Sequence, residues 1–201
     1  MATIYDLKPK FQNLLRPITR ALAKAGVTAN QVTLAACAMS FAAGGLLAWR
    51  IDDRRVLFLI PLVLFLRMAL NAIDGMLARE HGMKSKLGGI LNELTDVLSD
   101  SALYLPFALL PDICPIQVVI IVLLAVMTEM TGVVAQTIGA SRRYDGPVGK
   151  SDRAFLFSVV AVLLGIGIRP GPWLDIVFFI VLLGLVLTII NRARRALKEA
   201  A

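Results

Sequence analysis

Between Ala29 and Arg192 the chain is a succession of apolar runs, each close to the roughly 20 residues that span a bilayer as a helix. The runs lie near 30–49, 56–79, 87–110, 116–139, 153–169 and 172–192, and short loops carrying Gly, Pro or charge separate them. This spacing constrains the fold more than any motif does. A backbone in hydrocarbon must satisfy its own polar groups, so long continuous apolar runs become helices, and the lack of strict alternation excludes strands. The expectation is an all-α integral membrane protein of six transmembrane helices. Composition agrees: 58% of the residues are hydrophobic and 17% charged, against about a quarter charged in soluble domains.

Ahead of the first run, Phe11, Leu14, Leu15, Ile18 and Leu22 recur at helical spacing, with Lys10, Arg16, Arg20 and Lys24 between them. That pattern predicts an amphipathic helix lying in the headgroup region. No short apolar core with a cleavage site is present, so this stretch does not read as a signal peptide. The organisation expected is a juxtamembrane helix over 1–27, one membrane domain over 28–195 and a short cytoplasmic tail over 196–201. Cys37 and Cys114 stand alone in apolar surroundings and form no metal spacing.

Most Lys and Arg fall in the N-terminal helix, the 79–86 loop, the 142–153 loop and the C-terminal tail. The remaining loops carry only Arg50, Arg54, Arg55 and Arg169. This bias puts both termini in the cytoplasm. The net charge of +7 is then accounted for by topology and anionic headgroups, with no nucleic acid implied.

One stretch departs from this apolar plan. From Asn71 to Asp100 the chain holds Asp74, Glu80, Glu93, Asp96 and Asp100. At about 100° per residue, Arg67, Asn71, Asp74, Gly75 and Ala78 share one side of the second run. Gly88, Asn92, Thr95, Asp96 and Ser99 share one side of the third. The loop between the runs is cytoplasmic, so the two polar halves meet at one depth, in the inner leaflet. Charges at membrane depth persist where they face a cavity, a partner or an ion. Acids here outnumber the evident buried bases, and converging carboxylate and amide oxygens suit Mg²⁺, Mn²⁺ or Ca²⁺. Gly75, Ala78 and Gly88 leave room for a ligand against the backbone. The alternative is a helix pair joined by polar contacts.

The order of these residues carries a resemblance. Asp74-Gly75, two residues, Ala78-Arg79, eight residues, Gly88, then positions 92 and 96 is similar to the CDP-alcohol phosphotransferase motif D-x-x-D-G-x-x-A-R-(x)8-G-x-x-x-D-x-x-x-D, with six of eight fixed positions kept. "GVTANQVTLA" (26–35) resembles the family's lead-in to its first membrane helix, with Ala29 where proline is common. "RRYDGPVGKSDR" (142–153) resembles its basic loop before the fifth helix. Asn71 and Asn92 stand where the family has its first and third aspartates, so the four-carboxylate site drops to two, with Glu93 and Asp100 nearby.

The resemblance implies transfer of a phosphoalcohol group from a CDP-linked donor, CDP-diacylglycerol, to a small alcohol, with release of CMP, in phospholipid synthesis. It implies one or two Mg²⁺ or Mn²⁺ ions held by Asp74, Asn71, Asn92 and Asp96. It makes Asp96 the catalytic base and puts Gly75, Ala78, Arg79 and Gly88 at the nucleotide. A homodimer is implied as well. The 142–153 loop fails the P-loop pattern, because Tyr144 stands where a glycine is needed. Its Arg142, Arg143, Lys150 and Arg153 read equally as binders of an anionic acceptor, such as a phosphorylated polyol, or as a topology-setting loop. Glu129, deep in the fourth run, has Arg67, polar groups around the cavity or a substrate as its candidate partners. Two other readings stay open: a polytopic cation carrier, and a family member that binds lipid or nucleotide without turnover.

Overall fold

A computed structural model describes residues 4–201, with side-chain surroundings from residue 9 onward. All regular structure among the described residues is helical: α1 (Ile4–Lys24), α2 (Ala29–Trp49), α3 (Leu59–Glu80), α4 (Lys86–Tyr104), α5 (Pro115–Val134), α6 (Lys150–Gly165) and α7 (Pro172–Ala200). Short 3₁₀ turns precede α3 (Arg54–Phe58) and follow α4 (Leu105–Leu109) and α5 (Ala135–Ile138).

The helix starts follow local chemistry. Thr28 caps α2, accepting from the Gln31 amide while the Gln31 side chain accepts from the Thr28 amide. This capping box satisfies two otherwise orphaned donors. Ser85 caps α4 through the Gly88 amide at 2.9 Å. Asp152 accepts from the Gly149 amide at 2.8 Å at the start of α6.

Four helical segments are long and apolar enough to cross a membrane: Ala29–Trp49, Arg54–Glu80, Pro115–Ile138 and Pro172–Ala200. The other two expected spans do not meet that standard on their own. Helix α4 carries Glu93, Asp96 and Asp100 within its length. Helix α6 has 16 residues, about 24 Å of rise against a hydrocarbon core of about 30 Å. Both exceptions are helices that supply polar residues to the site. Even so, α4 shows an outward apolar stripe, with Leu87, Ile90, Leu94 and Leu98 all exposed, opposite its acidic face. Within segment 196–201, α7 continues to Ala200, and Ala196 is buried.

Helix α2 is the organiser. Helices α3 and α4 both pack along it and scarcely touch each other at backbone level. The α2–α4 crossing is close at Gly44, where a Cβ would lie 1.9 Å from the Ala102 carbonyl oxygen. Helices α5 and α7 form a second pair, and α6 packs on α3. The main core fills the half away from the acids, around Leu57, Ile60, Tyr104, Phe107, Phe157 and Phe178. Tyr104 stacks on Phe157 with ring centroids 4.1 Å apart. Helix α1 lies on α3 through Leu15 and Thr19 and through an Arg16–Glu80 ion pair at 3.0 Å, leaving Leu14 and Ile18 exposed.

Candidate active site

Because α3 and α4 stand apart on α2, a cleft opens between them that only side chains bridge. From α3, Arg67, Asn71 and Asp74 project at intervals of four and three residues; from α4, Asn92, Asp96 and Asp100 project at intervals of four. Asp74 is buried, and its Oδ2 accepts from the Thr33 hydroxyl at 2.8 Å. Asp96 is the most contacted carboxylate in the cleft. Its Oδ1 receives Asn71 Nδ2 at 3.1 Å and Arg67 Nη2 at 3.3 Å and is ion-paired with Lys150. Its Oδ2 has no side-chain partner among the described residues.

One helical turn on, Asp100 belongs to a different arrangement. It pairs with Arg67 and, at 3.1 Å, with Arg153, which is 1% exposed. Arg153 also meets Glu129 at 3.1 Å, and Glu129 is further paired with Arg142 at 3.2 Å and Arg192 at 3.4 Å. This corrects the sequence reading on three points. The acids do not outnumber buried bases, because Arg67, Arg153 and Arg192 are all buried among them. Glu129 pairs with Arg142, Arg153 and Arg192 and not with Arg67. Nor do Glu93 and Asp100 supply the charge missing at positions 71 and 92. Arg142 engages both Glu93 oxygens, at 2.6 and 2.5 Å, and Asp100 is held by two guanidiniums.

The loop 139–149 closes one side of the site. Gly139 and Gly146 adopt positive φ, and a Cβ on Gly146 would lie 2.5 Å from the Thr188 side chain. Arg143 turns away from the cleft to Asp145, at 2.7 Å, and to Glu199. Arg195 reaches Asp145 at 2.6 Å, and Glu199 accepts from the Ser141 amide at 2.9 Å. Burial pushes the Asp145 carboxyl up, but Arg143 and Arg195 outweigh it and hold the group below its ordinary value. Burial works against the Arg142 cation, and the Glu93 carboxylate overcomes it, so the guanidinium stays charged. The Arg142 guanidinium also lies 4.3 Å from the Tyr144 ring centroid.

Three recesses meet at this junction. One of about 330 Å³ is lined by Asn30, Thr33, Asp74, Gly75, Ala78, Arg79, Gly88 and Asn92. Its walls are tight. A Cβ on Gly88 would lie 2.8 Å from Asn30 Oδ1, and one on Gly75 would lie 3.0 Å from Arg79 Nη2. A second, of about 410 Å³ and mostly apolar, runs between α3 and α6 past Pro61, Phe65, Met68, Asn71, Lys150 and Phe155. A third, of about 330 Å³, is lined by Asn92, Glu93, Asp96, Glu129, Arg142, Tyr144 and Lys150. The four residues expected at the nucleotide therefore line one recess together. Of the four expected at the acceptor, Arg142 and Lys150 line another, while Arg143 faces the loop and Arg153 is sealed in the ion-pair network. Thr33 and Asn30 were not singled out from the sequence, although both lie in the 26–35 stretch that carries part of the resemblance.

No group of three or more His, Cys, Asp or Glu side chains among the described residues could hold a metal. The available donors are Asp74, Asp96 and the amide oxygens of Asn71 and Asn92. The Asn71 amide nitrogen is spent on Asp96, which leaves its oxygen free. These are hard oxygens, and with only two carboxylates they fit one divalent ion.

The CDP-alcohol phosphatidyltransferase family matches residues 26–194, and the chain belongs to that family. Family members are divalent-metal-dependent transferases of phospholipid synthesis. The chain is 46% identical over 200 residues to inner membrane protein YnbA of Escherichia coli, covering 99% of this chain and 98% of that one. It is 25% identical over 201 residues to phosphatidylinositol phosphate synthase of Mycolicibacterium smegmatis, covering 96% of this chain and 88% of that one. The fold is also that of Mycobacterium tuberculosis phosphatidylinositol phosphate synthase. The structure of that protein with CDP-DAG bound superposes with TM-score 0.74 at 22% identity, over 92% of each chain. Its complex with manganese and citrate gives TM-score 0.75 at 22% identity, over 91% of this chain and 88% of that one.

Proposed function

We propose that this protein transfers the phosphatidyl group of CDP-diacylglycerol to an acceptor alcohol and releases CMP. The observation that carries the reading is the adjacency of three recesses: a charged one lined by Asp96, a tight polar one that shares Asn92 with it, and an apolar one that shares Lys150 with it. They suit the three parts of such a reaction, namely the acceptor, the nucleotide and the acyl chains.

Gly75 and Gly88 let the cytidine approach the backbone, and Arg79 beside Gly75 meets the diphosphate. The apolar groove between α3 and α6 takes the lipid tails. Asp74, Asn71 and Asn92, with Asp96 facing them, would hold a divalent ion, which neutralises diphosphate charge when bound. Asp96 Oδ2 accepts the proton of the acceptor hydroxyl. The acceptor oxygen bonds to the phosphorus that carries diacylglycerol. The bond from that phosphorus to the bridging oxygen breaks, and CMP leaves with that oxygen. Lys150 and Arg67 hold Asp96 in position, and Lys150 offsets negative charge building on the phosphates.

In this reading all six of α2 to α7 cross the bilayer, with both termini and the site on the cytoplasmic side. Helix α1 lies in the headgroup layer, presenting Leu14 and Ile18 to lipid. The inner membrane relative supports that location, and a homodimer is part of the same proposal. Segment 28–195 acts as the catalytic unit. The pairing of Glu93, Asp96, Asp100 and Glu129 with bases disfavours a cation pathway.

The test is CMP release by the purified protein given CDP-diacylglycerol, Mg²⁺ or Mn²⁺ and a panel of alcohols. Acceptor-dependent release that is lost in Asp96→Ala supports the reading. The amides at 71 and 92 favour one rival, a binding protein without turnover. That rival predicts donor binding with no CMP from any alcohol.

A further inference from the structure

The recess beside Asp96 has an unusual charge balance for a family with anionic substrates. Its lining includes four carboxylates, Glu93, Asp96, Glu129 and Asp152, against three cations, Arg142, Lys150 and Arg192. Each of those cations already carries an ion pair, and the one buried donor left over is Arg142 Nη1. Arg142 is forked onto Glu93 at 2.6 and 2.5 Å and reaches Glu129 at 3.2 Å. Lys150 is paired with Asp96. Arg192 meets Glu129 at 3.4 Å and donates to the carbonyl oxygens of Thr128 and Asp145.

We propose that the acceptor is an uncharged polyhydroxy alcohol and not a phosphate ester. The proposal rests on the transferase reading and names the substrate class of that same site. A phosphomonoester brings a charge of about −1.5 to −2 and is captured by free guanidinium or ammonium groups. Here it would have to share Arg142 with Glu93 or Lys150 with Asp96, or displace one of those carboxylates. In either case the carboxylate would face the phosphate across a cavity of about 330 Å³, a like-charge contact that works against binding.

Hydroxyl groups meet no such conflict. Each donates one hydrogen bond and accepts others, so a polyol can donate to Glu93, Glu129 or Asp152 and accept from Arg142 or Lys150 while the ion pairs stay intact. The reacting hydroxyl gives its proton to Asp96 and its oxygen to the phosphorus as CMP departs. Glu129 sets this preference. It sits among Arg142, Arg153 and Arg192 at 3.2, 3.1 and 3.4 Å and neutralises a cluster that would otherwise attract phosphate.

The test compares matched acceptors: glycerol with glycerol 3-phosphate, and inositol with inositol phosphate. CMP release from CDP-diacylglycerol is read with the full chain in nanodiscs. The expected result is a kcat/KM at least about tenfold higher for the uncharged member of a pair. Glu93→Gln, which frees Arg142, narrows or reverses that ratio. Equal or faster turnover of the phosphate ester, or a preference for a cationic amino alcohol, overturns the proposal and leaves the transferase reading intact.

A binding arm decides the matter without turnover. Inorganic phosphate is titrated against the wild type, Glu93→Gln and Glu129→Gln, with thermal stability as readout. The wild type is expected to show no stabilisation, and at least one Gln variant is expected to gain it. Phosphate stabilisation of the wild type that disappears in Arg142→Ala overturns the proposal, whatever the CMP assay gives.

Discussion

Asp96 and Asp100 are one helical turn apart on α4, and the proposed reaction gives them opposite work. Asp100→Asn separates the two. The Asp100 side chain is 7% exposed, and its guanidinium partners on Arg67 and Arg153 are 4% and 1% exposed. The substitution keeps shape and removes charge, leaving two buried cations with one anion fewer. Arg67 keeps Asp96 and Arg153 keeps Glu129, so the loss is that of the charged hydrogen bonds, about 1–3 kcal/mol, rather than of an uncompensated charge. For a chain of this size each kcal/mol moves Tm by about 2–4 °C, so a fall of about 2–12 °C is expected.

Asp96→Asn acts in a wetter place. Asp96 is 21% exposed and its partner Lys150 is 32% exposed, so its stability loss stays near the 0–1 kcal/mol of a solvated pair. Its CMP release is nonetheless lost. The assay is thermal unfolding in detergent beside CMP release at a temperature where both variants are folded. A second variant that also replaces Arg153 with Met recovers part of the lost Tm, since the surplus buried cation is gone while Glu129 keeps Arg142 and Arg192. An Asp100→Asn protein with unchanged Tm and no CMP release would refute the reasoning and move Asp100 into the chemistry.

Other expectations follow from the same geometry. Asp74→Ala and Asp96→Ala each abolish CMP release without loss of membrane insertion, and the double variant is no worse, because both act on one transition state; quantitative membrane extraction beside the activity assay checks this. Asn92→Asp tightens Mn²⁺ binding by about tenfold in calorimetry, since it adds a ligand charge. Asn71→Asp gives a smaller gain, because it removes the 3.1 Å hydrogen bond to Asp96. Gly88→Ala pushes a Cβ against Asn30, whose side-chain end can shift, so it raises KM for the donor several-fold while Tm holds. Gly44→Ala meets the Ala102 carbonyl, which cannot yield, and loses about 1–3 kcal/mol of stability. Asp145 has a folded pKa below its ordinary 3.8. Its contribution is therefore complete above about pH 4 and is lost as pH falls through the folded value. Tm measured from about pH 3 to pH 7 falls on the acid side in the wild type and falls less in Asp145→Asn.

Several features of the fold were legible before any coordinates. Apolar runs of membrane length give the helices, and the period of 3.6 residues assigns Asn71 and Asp74 to one face of α3 and Asn92 and Asp96 to one face of α4. Local signals such as Thr28 and Gln31 fix helix starts. The direct contact of Asn71 with Asp96 follows from the shared depth of the two polar halves. What sequence could not give is which charge meets which across distant elements. Arg153 and Arg192 lie near the ends of apolar runs, where a basic residue reads equally well as a topology signal. Only packing shows them turned inward onto Glu129 and Asp100. The same ambiguity hid the bond from Thr33 to Asp74, which joins residues 41 apart. It also hid the difference between Arg142, which lines the site, and Arg143, which turns to Glu199. The shortfall in α4 and α6 as spans has a related cause: residues that serve the site dilute the hydropathy by which spans are recognised.

The most direct test of the central claim follows two labels at once. CDP-diacylglycerol labelled on its cytidine and on its glycerol is supplied to the purified protein with Mn²⁺ and an uncharged polyol. The account predicts that the cytidine label leaves as CMP while the glycerol label appears in a new phospholipid bearing the polyol, and that Asp96→Ala yields neither. Both labels remaining together in the donor across the acceptor panel, or the glycerol label ending in phosphatidic acid in the presence of acceptor, would contradict it.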